Sequence, residues 1–292
     1  MLLLLLACSN GGGTDSPGPE DTAISSAGCP SGVVGEVAGA LDEADLTEAS
    51  GLVLSPGRPG LLWAHNDSGG ASELFGLDGQ GRLVQRVAVT GATATDWEDL
   101  AAGLYEGQPT LFIGDVGDNG RSRQDIALWR VPEPAEGATT AAAVRHGLLL
   151  PDGARDIEAL LLDPLSGDVL VVTKELASVA QVLRGAAPLG AEIPLVLESE
   201  LSLTSFPGVT LGAVTAGDIS PDGRCIYLRT YTQVLAWERV PGASVAATLT
   251  LAPTVMPSLT EPQGEALAAD ADGYWTLSEG EGAPLHRFQG AP

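Results

Sequence analysis

The stretch Asp96-Trp97-Glu98-Asp99-Leu100-Ala101 decides how this chain is read, because weaker copies of it return along the sequence. The copies are Glu48-Ala49-Ser50-Gly51-Leu52, Asp156-Ile157-Glu158-Ala159-Leu160, Ala216-Gly217-Asp218-Ile219-Ser220 and Gln263-Gly264-Glu265-Ala266-Leu267. Each sets an acidic residue just ahead of a small or apolar run. Successive acids lie 50, 60, 60 and 47 residues apart. A period of that size matches a four-stranded propeller blade.

After each acid the same plan repeats. An apolar run, a Pro/Asp/Gly turn and a second apolar run follow, as in Ala159-Leu160-Leu161-Leu162, then Asp163 to Asp168, then Val169-Leu170-Val171-Val172. The turns Ser220-Pro221-Asp222-Gly223 and Asp270-Ala271-Asp272-Gly273 use residues that fix or free φ where a tight reversal needs it. Third strands follow, and outer strands are read at 84–89, 146–150, 194–203 and 247–251. Val33 to Ala38 stands ahead of the first repeat and supplies a strand to cover the open edge of the last one. The expectation is an all-β chain, a five-bladed β-propeller closed by an N-terminal strand.

Composition bounds the rest. Among 292 residues, 44% are hydrophobic, enough for a sizeable core. A formal charge of −24 opposes binding to nucleic acid or to an anionic membrane through electrostatics. Leu2 to Leu6 run into Leu5-Leu6-Ala7-Cys8, which resembles the lipobox of bacterial lipoproteins. Residues 1–8 are therefore read as the remnant of a signal peptide with Cys8 as the lipidated residue. Residues 9–30, rich in Gly, Ser, Pro and Asp, are read as a flexible tether, and 31–292 as the β domain. On this reading the protein is exported, fixed to a bacterial membrane through lipid alone, and monomeric. Cys29 and Cys225 remain, either as a disulfide pinning the tether to the body or as separate thiols.

Strand alternation places the start of each first strand and the end of each second strand at one mouth of the axis. Glu48, Glu98, Glu158, Asp218 and Glu265 would meet there. So would the polar runs holding His65, Asn66 and Asp67, then Asp115, Asp118 and Asn119, then Lys174, then Arg229 and Tyr231, and then Glu279; Asp96 joins them. Five carboxylates around a narrow axis need compensation. With oxygen donors and almost no imidazole or thiolate, the compensating ion would be hard, and Ca²⁺ fits better than Mg²⁺. The alternatives are ion pairs with Arg155, Lys174 and Arg229, or acids spent on capping loops. His65 is the one imidazole at the mouth and so the one candidate base or ligand. Trp97 is read as packing between repeats. No organic cofactor motif is present.

The runs Trp63 to Gly69, Asp96 to Ala101, Ile113 to Asn119, Leu128 to Pro134, Val172 to Lys174 and Arg229 to Tyr231 are similar to a group of bacterial secreted and lipoprotein propellers. The axial acids look more distantly like those of calcium-activated nucleotidase, gluconolactonase-type and phytase-type propellers. Two functions follow as expectations. One is a surface module with a cation at its mouth and a small-molecule, glycan or protein ligand. The other is a metal-dependent hydrolase of a phosphoester or lactone, with His65, Lys174 and Arg229 as its working groups.

Overall fold

A computed structural model describes residues 28–175 and 179–290. Strand accounts for 50% of the chain and helix for 3%, so the chain is all-β. In chain order the elements are β1 (Val34–Ala40), β2 (Ala49–Leu54), β3 (Leu61–Asn66), β4 (Glu73–Asp78) and β5 (Leu83–Thr90). Next come β6 (Trp97–Tyr105), β7 (Gln108–Asp115), β8 (Ala127–Pro132), β9 (Thr140–Ala142) and β10 (Val144–Leu149). They are followed by β11 (Ile157–Leu162), β12 (Val169–Thr173), β13 (Ala180–Gly185), β14 (Glu192–Pro194) and β15 (Val196–Leu201). The last third holds β16 (Val214–Ile219), β17 (Cys225–Thr230), β18 (Val234–Glu238), the short helix α1 (Val245–Leu249), β19 (Thr254–Met256), β20 (Gly264–Ala269), β21 (Gly273–Ser278) and β22 (Pro284–Gln289).

These strands form sheets ordered β2-β3-β4-β5-β9, β6-β7-β8-β10-β14, β11-β12-β13-β15, β16-β17-β18-β19 and β20-β21-β22-β1. The expected five-bladed β-propeller closed by an N-terminal strand is therefore not what the chain forms: it is all-β, but its sheets are not five four-stranded blades. β9 follows β8 in the chain yet pairs in parallel with β5, and β14 follows β13 yet pairs in parallel with β10. The first two sheets thus have five strands each, and their outer edges are laced by chain that belongs to the next repeat. The outer strand expected at 247–251 is also absent. That segment lies mostly in α1, whose first turn is capped by the Ser244 hydroxyl accepting the Ala247 N–H. The expected outer strand at 194–203 is split, with Pro194 ending β14 and β15 beginning at Val196.

Burial explains why the repeats were visible. β11, β16 and β20 are buried along their whole length, so they read as unbroken small and apolar runs. The outer strand β5 alternates between buried and exposed positions instead, as a half-covered strand must. Neighbouring sheets share apolar cores, with Trp63 and Trp97 between the first and second and Leu161 and Leu228 between the third and fourth. β2, β6, β11, β16 and β20 each touch the next in turn, and β20 returns to β2. β1 pairs antiparallel with β22 and is largely exposed. Just ahead of it, Cys29 is disulfide-bonded to Cys225 at the start of β17, 196 residues away. The lipobox Cys8 and most of the expected tether lie outside the described residues.

Candidate cation site at the acidic mouth

The pairing of each first strand with its second is broken once, near the start, by a bulge. The extra residue is Ser50 on β2, Glu98 on β6, Glu158 on β11, Thr215 on β16 and Glu265 on β20. A bulge bends its strand and re-aims the side chain it carries. Structural equivalence therefore runs through Ser50, Glu98, Glu158, Thr215 and Glu265. Only three of the five are acids. The two hydroxyls are used internally, with Ser50 Oγ donating to the Glu98 carbonyl and Thr215 Oγ1 to the Gly264 carbonyl at 2.8 Å.

The acids gather on one side of the mouth. Oxygens of Asp67, Asp96 and Glu98 lie within 4.8 Å of one another, and so do oxygens of Glu98, Asp156 and Glu158. Glu98 belongs to both groups, and no hydrogen-bond donor reaches its carboxylate among the described residues. Burial, then Glu158, Asp67 and Asp96, push it well above the ordinary glutamate range. Burial and Asp96 lift Asp67 to about 7, and burial lifts Glu265 to about 7. Burial raises Asp96 as well, with the Arg123 guanidinium pulling the other way. Asp67 Oδ1 is buried with no partner. Gly117 lies directly against Glu98 and Asp96, where a Cβ would run into both carboxylates. Lys174 reaches into the cluster, 2.8 Å from Glu158 and 5.1 Å from the Tyr231 ring centroid. Glu158 holds Lys174 firmly protonated against the opposing pull of burial.

The remaining expected residues take other positions. Glu48 is exposed and stands two residues ahead of the bulge, level with Asp96 and Asp156; its carbonyl accepts the Asp67 N–H at 2.8 Å. Asp218 sits three residues past Thr215, inside the channel wall, where it accepts the Ile219 and Ala269 N–H groups, each at 2.8 Å. Glu279 reaches the mouth beside Glu48, and burial raises it. Asn66 ties Glu48 to Asp45. Asp115 is held by Arg123 at 2.7 Å and by the Trp129 indole at 3.2 Å, and Asp118 accepts the Arg123 N–H at 2.7 Å. Those two carboxylates are thus spent on their own loop, and Asn119 is exposed.

Arg155 turns away to Asp152 and Gln181 and pairs with no mouth acid. Arg229 is buried behind the mouth on Glu261 and the Ala266 carbonyl. His65 is fully buried beneath the mouth, edge-on to Trp97 at 5.5 Å, and desolvation lowers it to about 4. It is a neutral core histidine.

Three acids escaped the sequence reading. Asp156 was recoverable, since Asp156-x-Glu158 repeats Asp96-x-Glu98. Asp99, the neighbour of Glu98, accepts N–H groups from Leu100 (2.8 Å), Leu160 (2.8 Å) and Gly217 (3.0 Å) across the channel. Glu261, which also accepts from Thr276, lies in an irregular loop with no motif around it.

No protein-family model matches the chain, and no curated protein matches it. Among solved structures it is similar to the crystal structure of the major Malassezia sympodialis allergen Mala s 1, at 9% identity and a TM-score of 0.50. That likeness covers 86% of this chain and 94% of the other, and it bears on the fold alone. A crystal structure of a nidogen/laminin complex also aligns, at 10% identity and a TM-score of 0.44 over 80% of this chain and 73% of that one. A likeness at that score carries no argument.

Proposed function

We propose that this chain is an exported module, tethered to a bacterial membrane through Cys8, whose acidic mouth holds a hard divalent cation, calcium in preference to magnesium. The observation that carries the reading is Glu98, a buried carboxylate without a donor that is shared by two carboxylate triads. A set of protein carboxylates suits Ca²⁺, which takes six to eight flexible oxygen ligands, better than Mg²⁺, which keeps several of its waters. The partnerless Asp67 oxygen and the close approach of Gly117 fit a site shaped for an ion. The Cys29–Cys225 disulfide fits an oxidising compartment outside the cytoplasm.

Over the filled mouth, a small-molecule, glycan or protein ligand would complete the module. Binding is favoured over hydrolysis because both cations the hydrolase reading calls on are engaged, Lys174 with Glu158 and Arg229 with Glu261, and because His65 is buried and neutral. Calorimetric titration of the full chain with Ca²⁺ and with Mg²⁺ tests the reading. Saturable Ca²⁺ binding that releases protons near pH 7, weaker for Mg²⁺ and lost in Glu98→Gln, is the expected result. Absence of heat with either ion would overturn it.

A further inference from the structure

At the far end of the axis the first strands finish around a second opening, a cavity of about 390 Å³. Every first strand contributes to its wall, through Leu54, Ala102, Leu162, Ile219 and Ala269, and the Asp218 carboxylate joins them. The space is left because β6 and β20 present alanines there, where their neighbours present Leu or Ile. Such a chamber, mostly apolar with few polar groups, is the usual form of a small-molecule site.

Two carboxylates line this cavity, and they differ. Both oxygens of Asp163 are taken by Arg239, at 2.7 and 3.0 Å. Asp218 accepts one backbone N–H on each oxygen and keeps a lone pair on each. Among the described residues no Lys or Arg pairs with it. A carboxylate with no counter-charge, lining an apolar chamber, lacks the partner that a buried carboxylate needs to stay ionised.

We infer that this opening binds a small molecule with a compact apolar body and one ammonium head, the head on Asp218 and the body between Leu162, Ile219 and Ala102. The apolar body displaces water from the walls, and the head supplies the charge-assisted hydrogen bond that the carboxylate lacks. The inference is independent of the cation at the other mouth.

The full chain, at pH 8, is titrated calorimetrically with 2-phenylethylamine and with 2-phenylethanol. That pH lies above the value of about 7 to which burial lifts Asp218. The amine is expected to bind, and the alcohol at least about tenfold more weakly. Asp218→Asn should remove that preference. Because Asp218 also braces two strands, Ala102→Phe provides a second variant, filling the chamber without touching the carboxylate; it should weaken the amine at least about tenfold. Glu98→Gln, at the opposite mouth, should leave amine binding unchanged. Equal binding of amine and alcohol, an unaffected Ala102→Phe, a loss in Glu98→Gln, or no amine binding would each overturn the assignment.

Discussion

Glu98 and Asp99 are neighbours in the chain, both buried and both held above the ordinary carboxylate range, yet they belong to different regions of the molecule. Asp99 lies in the channel wall, where three backbone N–H groups from three strands converge on it. Glu98 lies on a bulge at the mouth, surrounded by other carboxylates, and among the described residues no donor bonds its carboxylate oxygens. Burial alone therefore does not separate a structural acid from a ligand-binding one. Between these two the donors make the difference: Asp99 is satisfied by the backbone and holds strands together, whereas Glu98, left among its own kind, is the acid that the proposed ion would complete.

The sharpest way to break this contrast is to remove each acid in turn. Asp99→Ala strands three buried N–H groups, so denaturant unfolding should show a loss of at least about 3 kcal/mol. Glu98→Gln, measured without divalent ions, should be as stable as the wild type or more so, since a buried like charge is gone. Equal destabilisation by both would erase the distinction.

Calcium provides the next largest effect. At a hundredfold excess over its dissociation constant it should stabilise the wild type by about 2.7 kcal/mol and Glu98→Gln by almost nothing. Thermal melts with Ca²⁺, Mg²⁺ and chelator read this directly.

The pH dependence sharpens the comparison further. Asp67 and Glu265 bind protons in the folded state up to about 7, whereas unfolded carboxylates release theirs near 4. The folded state thus holds more protons through that window, and metal-free stability should fall as pH rises from about 4 to about 7, with Glu98, Glu158 and Asp99, held higher still, carrying the fall beyond it. The slope is about 1.4 kcal/mol per pH unit for each fully buried group, and less for the half-buried Asp67. Calcium should flatten most of this fall but not the share due to Asp218, which lies away from the mouth. Urea midpoints from pH 4.5 to 8, with and without Ca²⁺, supply the profile. The smallest effect belongs to Gly117→Ala, which should weaken Ca²⁺ about tenfold in a titration, equivalent to about 1.4 kcal/mol, while leaving the melt of the metal-free protein nearly unchanged.

Strand positions and turns were legible in the sequence because fully buried strands write themselves as apolar runs between turn residues. The lacing of the sheets was not, since β9 and β14 are three residues long and carry no period. The segment around α1 passed for a strand because Val245-Ala246-Ala247-Thr248-Leu249 is too short for helical spacing to declare itself; only the Ser244 cap marked it. At the mouth, the period of the acids led to the right strands but not always to the right register. Glu48 falls two residues short of its bulge and Asp218 three residues past, because nothing in an acid-plus-apolar motif says which residue a bulge will turn toward the axis. Arg229 was placed at the mouth by the same alternation, and its partner Glu261, in a loop, could not be anticipated.

The disulfide has a mechanical consequence. A pull on the chain ahead of Cys29 would otherwise fall first on β1, an exposed edge strand paired only with β22. With Cys29 bonded to Cys225, the load enters instead at β17, a buried strand flanked by β16 and β18. Tension arriving from the N-terminal side would then bypass the β1–β22 pairing and fall on the interior of the β16–β17–β18 sheet.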